Sequence, residues 1–228
     1  MVNFCKKTAF FMLILILSVT ILAPCVSALD SAETVKSLSD GGEKIICIAH
    51  RGDWHSFPEN SAEAVNAALE YNAVSVDVKL SSDGIPVLMA DETVDRMCVD
   101  SDSKPISGTV SSFTFAQLGE MYLREDNGGT NKSKTDCRIP ELKRIFEVSG
   151  GKTAIVVNVG ESDFKTVYDY VKALGKLDET VFRINAKAKK IVELTKDLDG
   201  IKVLGNYQGN IIFLATSAVK ECFSNGIY

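Results

Sequence analysis

The chain has 228 residues, of which 46% are hydrophobic, and it carries a formal net charge of −5 at pH 7. This length fits one large domain or two small ones, and the composition excludes a disordered, collagen-like or low-complexity protein. With 30 acidic against 25 basic residues, the chain lacks the excess of positive charge that is typical of nucleic-acid-binding proteins.

The first 28 residues have the pattern of a secretory signal peptide. Lys6 and Lys7 precede an almost unbroken apolar run over residues 8–23, and Val26–Ala28 resembles a signal-peptidase cleavage site. The run is shorter than the roughly 20 apolar residues that a spanning helix needs. We therefore expect residues 1–28 to direct the protein out of the cytoplasm, to be secreted or extracytoplasmic. An uncleaved membrane anchor is the alternative.

Four cysteines follow this leader, at positions 47, 98, 137 and 222. Extracytoplasmic compartments favour disulfides, and four cysteines allow three pairings that sequence alone cannot distinguish. Cys98 and Cys137 fall in one long irregular segment, which favours a disulfide between them. Cys47 lies in an apolar run and is expected to be a buried free thiol.

After a linker over residues 29–43, apolar runs and turn residues predict strands and helices in alternation. The expected elements, in chain order, are a strand over 44–49, a helix over 60–69, strands over 73–80 and 85–90, an irregular stretch over 91–139 with one helix at 114–123, a helix over 140–148, a strand over 153–159, a helix over 162–174, a strand over 181–184, a helix over 187–198, a strand from 201 and a helix over 217–224. Asn60 and Glu63 have the spacing of a capping box at the start of the first helix. Residues 44–228 are expected to form one domain.

Strands that alternate with helices indicate a mostly parallel sheet with helices outside it. The strand over 73–80 has one aliphatic and one polar face. The aliphatic face carries Val74, Val76 and Val78, and the polar face carries Ser75, Asp77 and Lys79. An aliphatic face packed on helices and a polar face turned inward are typical of a TIM-type (β/α) barrel with its site at the strand ends.

The number of strands is too small for a complete barrel. Eight βα units usually take about 250 residues, whereas about six strands are expected here. We therefore expect an incomplete, C-terminally truncated barrel of about six βα units, with a smaller open sheet as the alternative.

Several short motifs follow one another in a distinctive order. They are Ile48–Gly52 (IAHRG), Pro58–Ser61 (PENS), Val76–Val78 (VDV), Ser82–Gly84 (SDG), Pro86–Leu88 (PVL), Asp91–Arg96 and Arg138–Leu142 (RIPEL). In this order they closely resemble the glycerophosphodiester phosphodiesterase family. The resemblance is strong over residues 43–159 and weak beyond them.

The resemblance implies a barrel that hydrolyses glycerophosphodiesters to glycerol 3-phosphate and an alcohol. Family members hold one divalent cation, often calcium or magnesium, on carboxylates at the strand ends. Two histidines serve as acid and base, and the arginine after the first histidine binds phosphate. Such a site neutralises the phosphate oxygens, deprotonates the nucleophile and protonates the leaving alkoxide.

By this resemblance, half of the machinery is present. His50 matches the first catalytic histidine, and Arg51 matches the phosphate-binding arginine. Glu59 lies in the Pro-Glu-Asn element beside the site, in a substrate-binding position, and Asp77 matches a metal-binding aspartate. Structural roles remain open for each: a packing histidine, a surface ion pair, a helix-capping element and a solvated strand-end carboxylate.

The other half is absent. Ser75 replaces a metal-binding glutamate, and Ala90 replaces the second catalytic histidine. The glutamate of the fourth strand is replaced by Asn158, or by Gly160 if the register shifts by two. His55 is the other histidine of the chain, and it lies in the first loop, away from the third strand.

These losses leave three functions open. The chain is an active secreted phosphodiesterase with an altered site, a noncatalytic module that binds a phosphorylated headgroup or a protein, or a nonfunctional fragment. Loss of an acid or base costs roughly 10²- to 10⁴-fold in rate, and loss of carboxylate ligands weakens calcium or magnesium binding. We therefore expect a glycerophosphodiester phosphodiesterase-like domain with little or no activity. It would not bind nucleic acid and would contact membranes only through an uncleaved leader.

Overall fold

The computed structural model of the protein describes residues 30–39 and 46–204. The leader predicted over residues 1–28, Cys222 and the helix predicted over residues 217–224 lie outside these ranges. Within the two ranges, no helix combines the length and the apolar character needed to cross a membrane.

The described residues form six α-helices and nine β-strands. The helices are α1 (Ser31–Ser39), α2 (Ala62–Ala67), α3 (Phe115–Gly119), α4 (Leu142–Ser149), α5 (Phe164–Ala173) and α6 (Ala188–Thr195). The strands are β1 (Ile48–His50), β2 (Ala73–Leu80), β3 (Pro86–Leu88), β4 (Cys98–Val99), β5 (Tyr122–Arg124), β6 (Lys134–Arg138), β7 (Ala154–Gly160), β8 (Thr180–Asn185) and β9 (Val203–Leu204).

Six of these strands form one sheet. Strands β1, β2, β7, β8 and β9 are parallel neighbours in that order, and β3 pairs with β2 in the antiparallel direction. Helices α2, α5 and α6 connect successive parallel neighbours along the chain. This alternation confirms the predicted parallel sheet, which is part of an α/β barrel.

The aliphatic faces of β2 and β7 point outward into the main hydrophobic core. Buried side chains of the two strands in this core are Val74, Val76, Val78, Ile155, Val157 and Val159, and they share it with residues of α2, α4 and α5. Each such side chain contributes about 1.5–3 kcal/mol when fully buried. The side-chain parity read from the sequence is therefore confirmed, and it turns Ser75 and Asp77 towards the opposite face.

Helix α1 covers the end of the sheet opposite the carboxyl ends of its strands. Val35 of α1 is buried together with Ala73, Ala154, Val156 and Val181. Ala73 and Ala154 are the first residues of β2 and β7, so the helix lies where these strands begin. This part of the predicted linker over residues 29–43 is thus ordered and belongs to the barrel.

The stretch predicted to be irregular, residues 91–139, contains a second, antiparallel sheet in which β5 pairs with both β4 and β6. The prediction missed these strands because they are short, and because β6 reads Lys-Thr-Asp-Cys-Arg without an apolar alternation. The helix predicted over 114–123 is shorter than expected. Thr114 caps it in a capping box with Gln117, but Tyr122 already belongs to β5.

The helix after the first loop is capped by Ser61, so the prediction of an Asn60 cap is wrong. An N-cap residue needs extended backbone. Ser61 has φ −80° and ψ 159°, and its side chain accepts a hydrogen bond from the backbone N of Ala64. Asn60 has φ +58°, a left-handed conformation that turns it away from the helix.

The expected disulfide between Cys98 and Cys137 is also wrong. Cys98 and Cys137 are free thiols, because β5 lies between their strands. Neighbouring strands are about 4.8 Å apart, so two strands of separation exceed the roughly 4.4–6.8 Å that a disulfide spans between Cα atoms. Cys47 is a free thiol as expected, but it is exposed and not buried.

Candidate active site at the carboxyl ends of the strands

A cavity of about 430 Å³ lies at the carboxyl ends of β1, β2, β7 and β8, and we call it the barrel mouth. Six polar side chains of these strands line it: His50, Asp77, Lys79, Asn158, Arg183 and Asn185. Asp77, Asn158 and Arg183 lie side by side in the register of β2, β7 and β8. Parallel strands thus bring together residues that are far apart in sequence, and they do so at the edge where barrel enzymes carry their sites.

Asp77 and Glu92 are the described carboxylates that line the barrel mouth, and both oxygens of Asp77 have partners. Asn158 Nδ2 donates to Oδ1 at 3.0 Å, and Asn60 Nδ2 donates to Oδ2 at 3.2 Å. Arg51 Nε lies 2.7 Å from Oδ2, an ion pair without hydrogen-bond geometry. The backbone N of Asp77 also donates to Asn60 Oδ1 at 2.9 Å. The Asn60 side chain therefore binds both the carboxylate and the backbone of Asp77.

A row of ion pairs continues from Arg51 behind the barrel mouth. Arg51 Nη1 lies 2.8 Å from Glu59 Oε2, and Arg96 Nη2 lies 2.6 Å from Glu59 Oε1. Arg96 Nε in turn lies 2.6 Å from Asp91 Oδ2. The Glu59 side chain is only 3% exposed, and burial of a carboxylate is costly unless it is paired. Its two arginine partners supply this pairing.

The same partners change the pKa values of the two arginines. Burial lowers the pKa of Arg51, but its hydrogen bond to Glu59 and the charge of Asp77 outweigh burial, so the pKa lies above its ordinary value. The hydrogen bond to Asp91 is the main cause that raises the pKa of Arg96. Both guanidinium groups are therefore permanently charged parts of this row.

The loop after β1 places Arg51 in this position. Arg51 has φ +62°, and its backbone N donates to the Ser75 carbonyl oxygen at 2.7 Å. Gly52 follows with φ +79°, and a Cβ at this position would lie 2.5 Å from the backbone C of Ala64. The His-Arg-Gly motif therefore needs its glycine for the close approach of α2 to this loop.

His50 is the imidazole of the barrel mouth. Its Nδ1 forms a 2.9 Å hydrogen bond with Ser75 Oγ, beside it in the register of β1 and β2. Proton transfer to a ligand would therefore use Nε2. At the position where the resemblance implies the second histidine, Ala90 lines the cavity with a methyl group. His55 does not replace it, because its ring stacks on Trp54 with the centroids 3.9 Å apart.

The predicted site residues thus lie at different distances from the cavity. His50, Asp77, Ala90, Asn158 and Gly160 line the cavity. Arg51 and Glu59 stand behind it in the ion-pair row, and Ser75 is hydrogen-bonded to His50.

The donor set does not fit a divalent cation. Calcium and magnesium favour several hard oxygen ligands, carboxylates above all. Asp77 already has a guanidinium and two amides as partners. Asn158 directs its amide nitrogen to Asp77, and its buried Oδ1 has no hydrogen-bond partner in the described part of the chain. One neutral oxygen does not replace a missing carboxylate. Within residues 30–39 and 46–204, no group of three His, Cys, Asp or Glu side chains is arranged to hold a metal.

Opposite charges also balance around the barrel mouth without a metal. Among the described residues of this region, the cations are Arg51, Lys79, Arg96 and Arg183, and the carboxylates are Glu59, Asp77, Asp91 and Glu92. A mouth with additional glutamates in place of Ser75 and Asn158 would be net negative and would repel phosphate until a cation bound.

Sequence reasoning missed several residues of this region as site residues: Asn60, Lys79, Arg96, Arg183 and Asn185. The parity of β2 could have identified Lys79, because it continues the polar face of Ser75 and Asp77. The same alternation in β8 places Arg183 and Asn185 on one face, but the strand predicted there ended before Asn185. No sequence signal indicated that Asn60 contacts Asp77.

The model of the glycerophosphoryl diester phosphodiesterase family matches residues 50–221 of the chain. Glycerophosphodiester phosphodiesterase 1 of Homo sapiens is 34% identical over 165 residues, which cover 66% of this chain and 48% of that protein. A glycerophosphodiester phosphodiesterase of Caldanaerobacter subterraneus is 35% identical over 115 residues, which cover 50% of this chain and 44% of the relative. The chain thus spans about half the length of the curated relatives that it matches.

Solved structures show the same fold at low sequence identity. A glycerophosphoryl diester phosphodiesterase from Parabacteroides distasonis superimposes with a TM-score of 0.67 at 19% identity, over 88% of this chain and 66% of that one. A phosphodiesterase from Oleispira antarctica, solved in complex with the product sn-glycerol-3-phosphate, gives 0.58 at 19% identity, over 79% and 71%.

Proposed function

The chain belongs to the glycerophosphoryl diester phosphodiesterase family, and we propose that it serves glycerophosphodiester metabolism as a barrel that recognises the phosphorylated headgroup but hydrolyses it slowly or not at all. The family reaction is hydrolysis of a phosphoric diester to glycerol 3-phosphate and an alcohol. The headgroup is the part of that substrate that a barrel mouth of this size can enclose.

One observation carries this proposal. Three positions where the family resemblance implies acid–base and metal-binding groups are Ser75, Ala90 and Asn158, and the remaining carboxylate, Asp77, is already paired with Arg51. Among residues 30–39 and 46–204, His50 is the one imidazole that lines the barrel mouth, and lack of a second histidine to protonate the leaving alkoxide would cost roughly 10²- to 10⁴-fold in rate. Weak cation binding would further reduce stabilisation of the phosphoryl oxygens.

Two features support headgroup recognition. The volume of the barrel mouth, about 430 Å³, lies within the roughly 300–1,000 Å³ of small-molecule pockets. Its lining also contains two cations, Lys79 and Arg183, beside the carboxylates Asp77 and Glu92, and the two cations suit a phosphate. A fold relative binds sn-glycerol-3-phosphate, which makes this phosphomonoester the natural first ligand to test.

Turnover of glycerophosphocholine and glycerophosphoethanolamine tests this function. We expect the purified protein, confirmed as folded by circular dichroism, to release little or no glycerol 3-phosphate with calcium or magnesium. Rapid release that a chelator abolishes and that His50→Ala removes would instead mean an active phosphodiesterase. A binding assay with glycerol 3-phosphate completes the test, because a domain that neither binds nor hydrolyses would contradict the proposal.

A nonfunctional fragment is the competing interpretation, and thermal unfolding separates the two. We expect a single cooperative transition, since the main core is continuous across the parallel sheet. A broad, non-cooperative melt would favour the fragment.

We also propose that the protein is secreted or extracytoplasmic, from the leader pattern of residues 1–28. N-terminal sequencing of the exported protein is expected to begin at Leu29. A membrane-bound product with an intact leader would favour the uncleaved anchor.

A further inference from the structure

We propose that the barrel mouth binds the phosphate group without a divalent cation, on the side chains of Lys79 and Arg183. This proposal rests on the proposed function, because it concerns the same cavity and the same ligand class. It differs from the family scheme in the groups that bind the phosphate, since it requires neither a metal ion nor the arginine of the His-Arg-Gly motif.

Lys79 and Arg183 line the barrel mouth from two strands that are not neighbours in the sheet. Lys79 follows Asp77 by two residues on the inner face of β2, and Arg183 lies on β8, beside Asn158 of β7. Their strands are separated by β7 alone, a distance of about 9.6 Å between strand axes. Both side chains are long enough to reach a common anion between them.

Gly160 creates a gap on the inner face of β7, between these two strands. Val78 pairs with Val159 across β2 and β7, so Lys79 is level with Gly160, and Gly160 in turn pairs with Asn185. The absence of a side chain at Gly160 leaves space between Lys79 and Asn185 in the outermost layer of the barrel mouth. A Cβ added at this position would meet no atom closer than Ser162 Oγ at 3.9 Å. A larger side chain can therefore fill the gap without a steric clash at its Cβ.

Lys79 already binds an anionic oxygen that a phosphate can replace. Its ammonium contacts the carboxylate of Glu92, whose side chain is 80% exposed, whereas the Lys79 side chain is 17% exposed. Ion pairs with such an exposed partner contribute little, about 0–1 kcal/mol. A phosphate that enters the barrel mouth brings more charge and more acceptor oxygens than Glu92, which can turn into solvent.

Arg51, the phosphate ligand that the family resemblance implies, cannot exchange its carboxylate partners for a phosphate as easily as Lys79 can. Its Nη1 is paired with buried Glu59 and its Nε with Asp77, so phosphate binding there would leave carboxylates without their cation. Arg183 lines the cavity and is exposed there, so the interactions that its guanidinium makes in the free protein contribute little, and a guanidinium can bind two phosphate oxygens at once. Lys79 and Arg183 are therefore the cations of the lining whose present interactions a phosphate can replace.

Calorimetric titration of glycerol 3-phosphate, and separately of inorganic phosphate, into the purified protein in a chelating buffer tests this proposal. We expect binding without added cation, and a loss of roughly tenfold or more in affinity for Lys79→Gln and for Arg183→Gln, because each removes a charge-assisted hydrogen bond. Gly160→Val is expected to block binding by filling the gap. Glu92→Gln is expected to strengthen binding several-fold, because it removes the competing carboxylate.

Lys165→Gln is the matched control, because Lys165 is also paired with a carboxylate, Asp169, but on the exposed face of α5. Its affinity should equal that of the unmodified protein, and circular dichroism should show every variant folded. Binding that needs calcium or magnesium, or that persists unchanged in both Lys79→Gln and Arg183→Gln, would overturn the cation-free site but leave headgroup recognition intact. An absence of binding with and without cation would overturn both proposals.

Discussion

The two faces of strands β2 and β7 have diverged to different degrees from what the family resemblance implies. The outward face is an uninterrupted set of buried aliphatic side chains that support the barrel. The inward face has Ser75 and Asn158 at the two positions where the resemblance implies carboxylates. Because alternate residues of a strand serve opposite faces, the catalytic groups of a barrel can be replaced without disturbing the core that holds its strands together. Family membership therefore establishes the fold more firmly than the chemistry.

The largest expected effect is a difference in the free energy of unfolding between two variants at neighbouring positions of β8, one on each face. Phe182 points outward and packs edge-to-face on Phe164 with the ring centroids 5.7 Å apart, whereas Arg183 points into the barrel mouth. Phe182→Ala should lower the free energy of unfolding by about 3–5 kcal/mol, since it leaves a cavity in the core. Arg183→Ala should change it by about 0.5 kcal/mol or less. Urea unfolding measures both, and equal losses would contradict the division between the faces.

The next effect concerns the ion-pair row behind the inward face. Arg51→Met leaves buried Glu59 with one cation and Asp77 with none. We expect a loss of about 2 kcal/mol, less than for a fully buried pair because Arg51 retains some exposure. Arg144→Met serves as the matched control, since Arg144 pairs with Glu147 on the exposed side of α4 and should change stability by less than about 0.5 kcal/mol. A loss no larger than that of the control would show that the row is not structural.

A third prediction concerns a variant that introduces at the barrel mouth the residues that the family resemblance implies there. The triple variant Ser75→Glu, Ala90→His and Asn158→Glu should bind calcium or magnesium at least about tenfold more tightly, because it restores carboxylate oxygens at the barrel mouth. Calorimetry with each metal measures the gain, and Ala90→His alone, which adds no carboxylate, is the control. If the triple variant showed no gain, the assignment of these positions from the family resemblance would be wrong.

The smallest expected effect concerns the reactivity of Cys98, which lies in the second sheet and on neither face of β2 or β7. Burial raises the pKa of Cys98 to about 12, so at pH 8 the thiol is protonated and its reactive thiolate is scarce. Exposed Cys47 should be alkylated by iodoacetamide well before Cys98, and Cys98 should become reactive only as the pH rises towards 12. Peptide mapping by mass spectrometry separates the two sites. A Cys98–Cys137 disulfide in the same maps would contradict the order of strands β4, β5 and β6.

The sequence predicted the main sheet well because the residue pattern that identifies each strand lies within the strand itself. Strand β2 matches the predicted range of residues 73–80, and β7 lies within one residue of its prediction. Both are rich in β-branched residues, and β2 in addition alternates between apolar and polar residues, whereas β7 is an almost continuous apolar run. Strands β4, β5 and β6 were missed, because they are short and because β6 reads Lys-Thr-Asp-Cys-Arg, without such an alternation. Local reasoning also chose Asn60 over Ser61 as the cap, since the contact that holds Asn60, to Asp77, is 17 residues away.

The candidate site was less predictable, for a related reason. His50 and Asp77 were found because they lie in short motifs, and Asn158 was found because the family resemblance implies a glutamate on its strand. Arg183 carries no motif, and its place at the barrel mouth follows only from the pairing of β7 with β8. The ion pairs of Arg51 and Arg96 with Glu59 depend on contacts between distant residues, which a single sequence does not contain.

Phosphorus NMR of glycerophosphocholine in the presence of the purified protein separates recognition from catalysis, because one spectrum reports both binding and hydrolysis. We expect the phosphodiester resonance to broaden or shift in chelating buffer, and the phosphomonoester resonance to grow slowly or not at all when calcium or magnesium is added. Rapid growth of the glycerol 3-phosphate resonance with added cation, halted by chelator, would instead show an active phosphodiesterase.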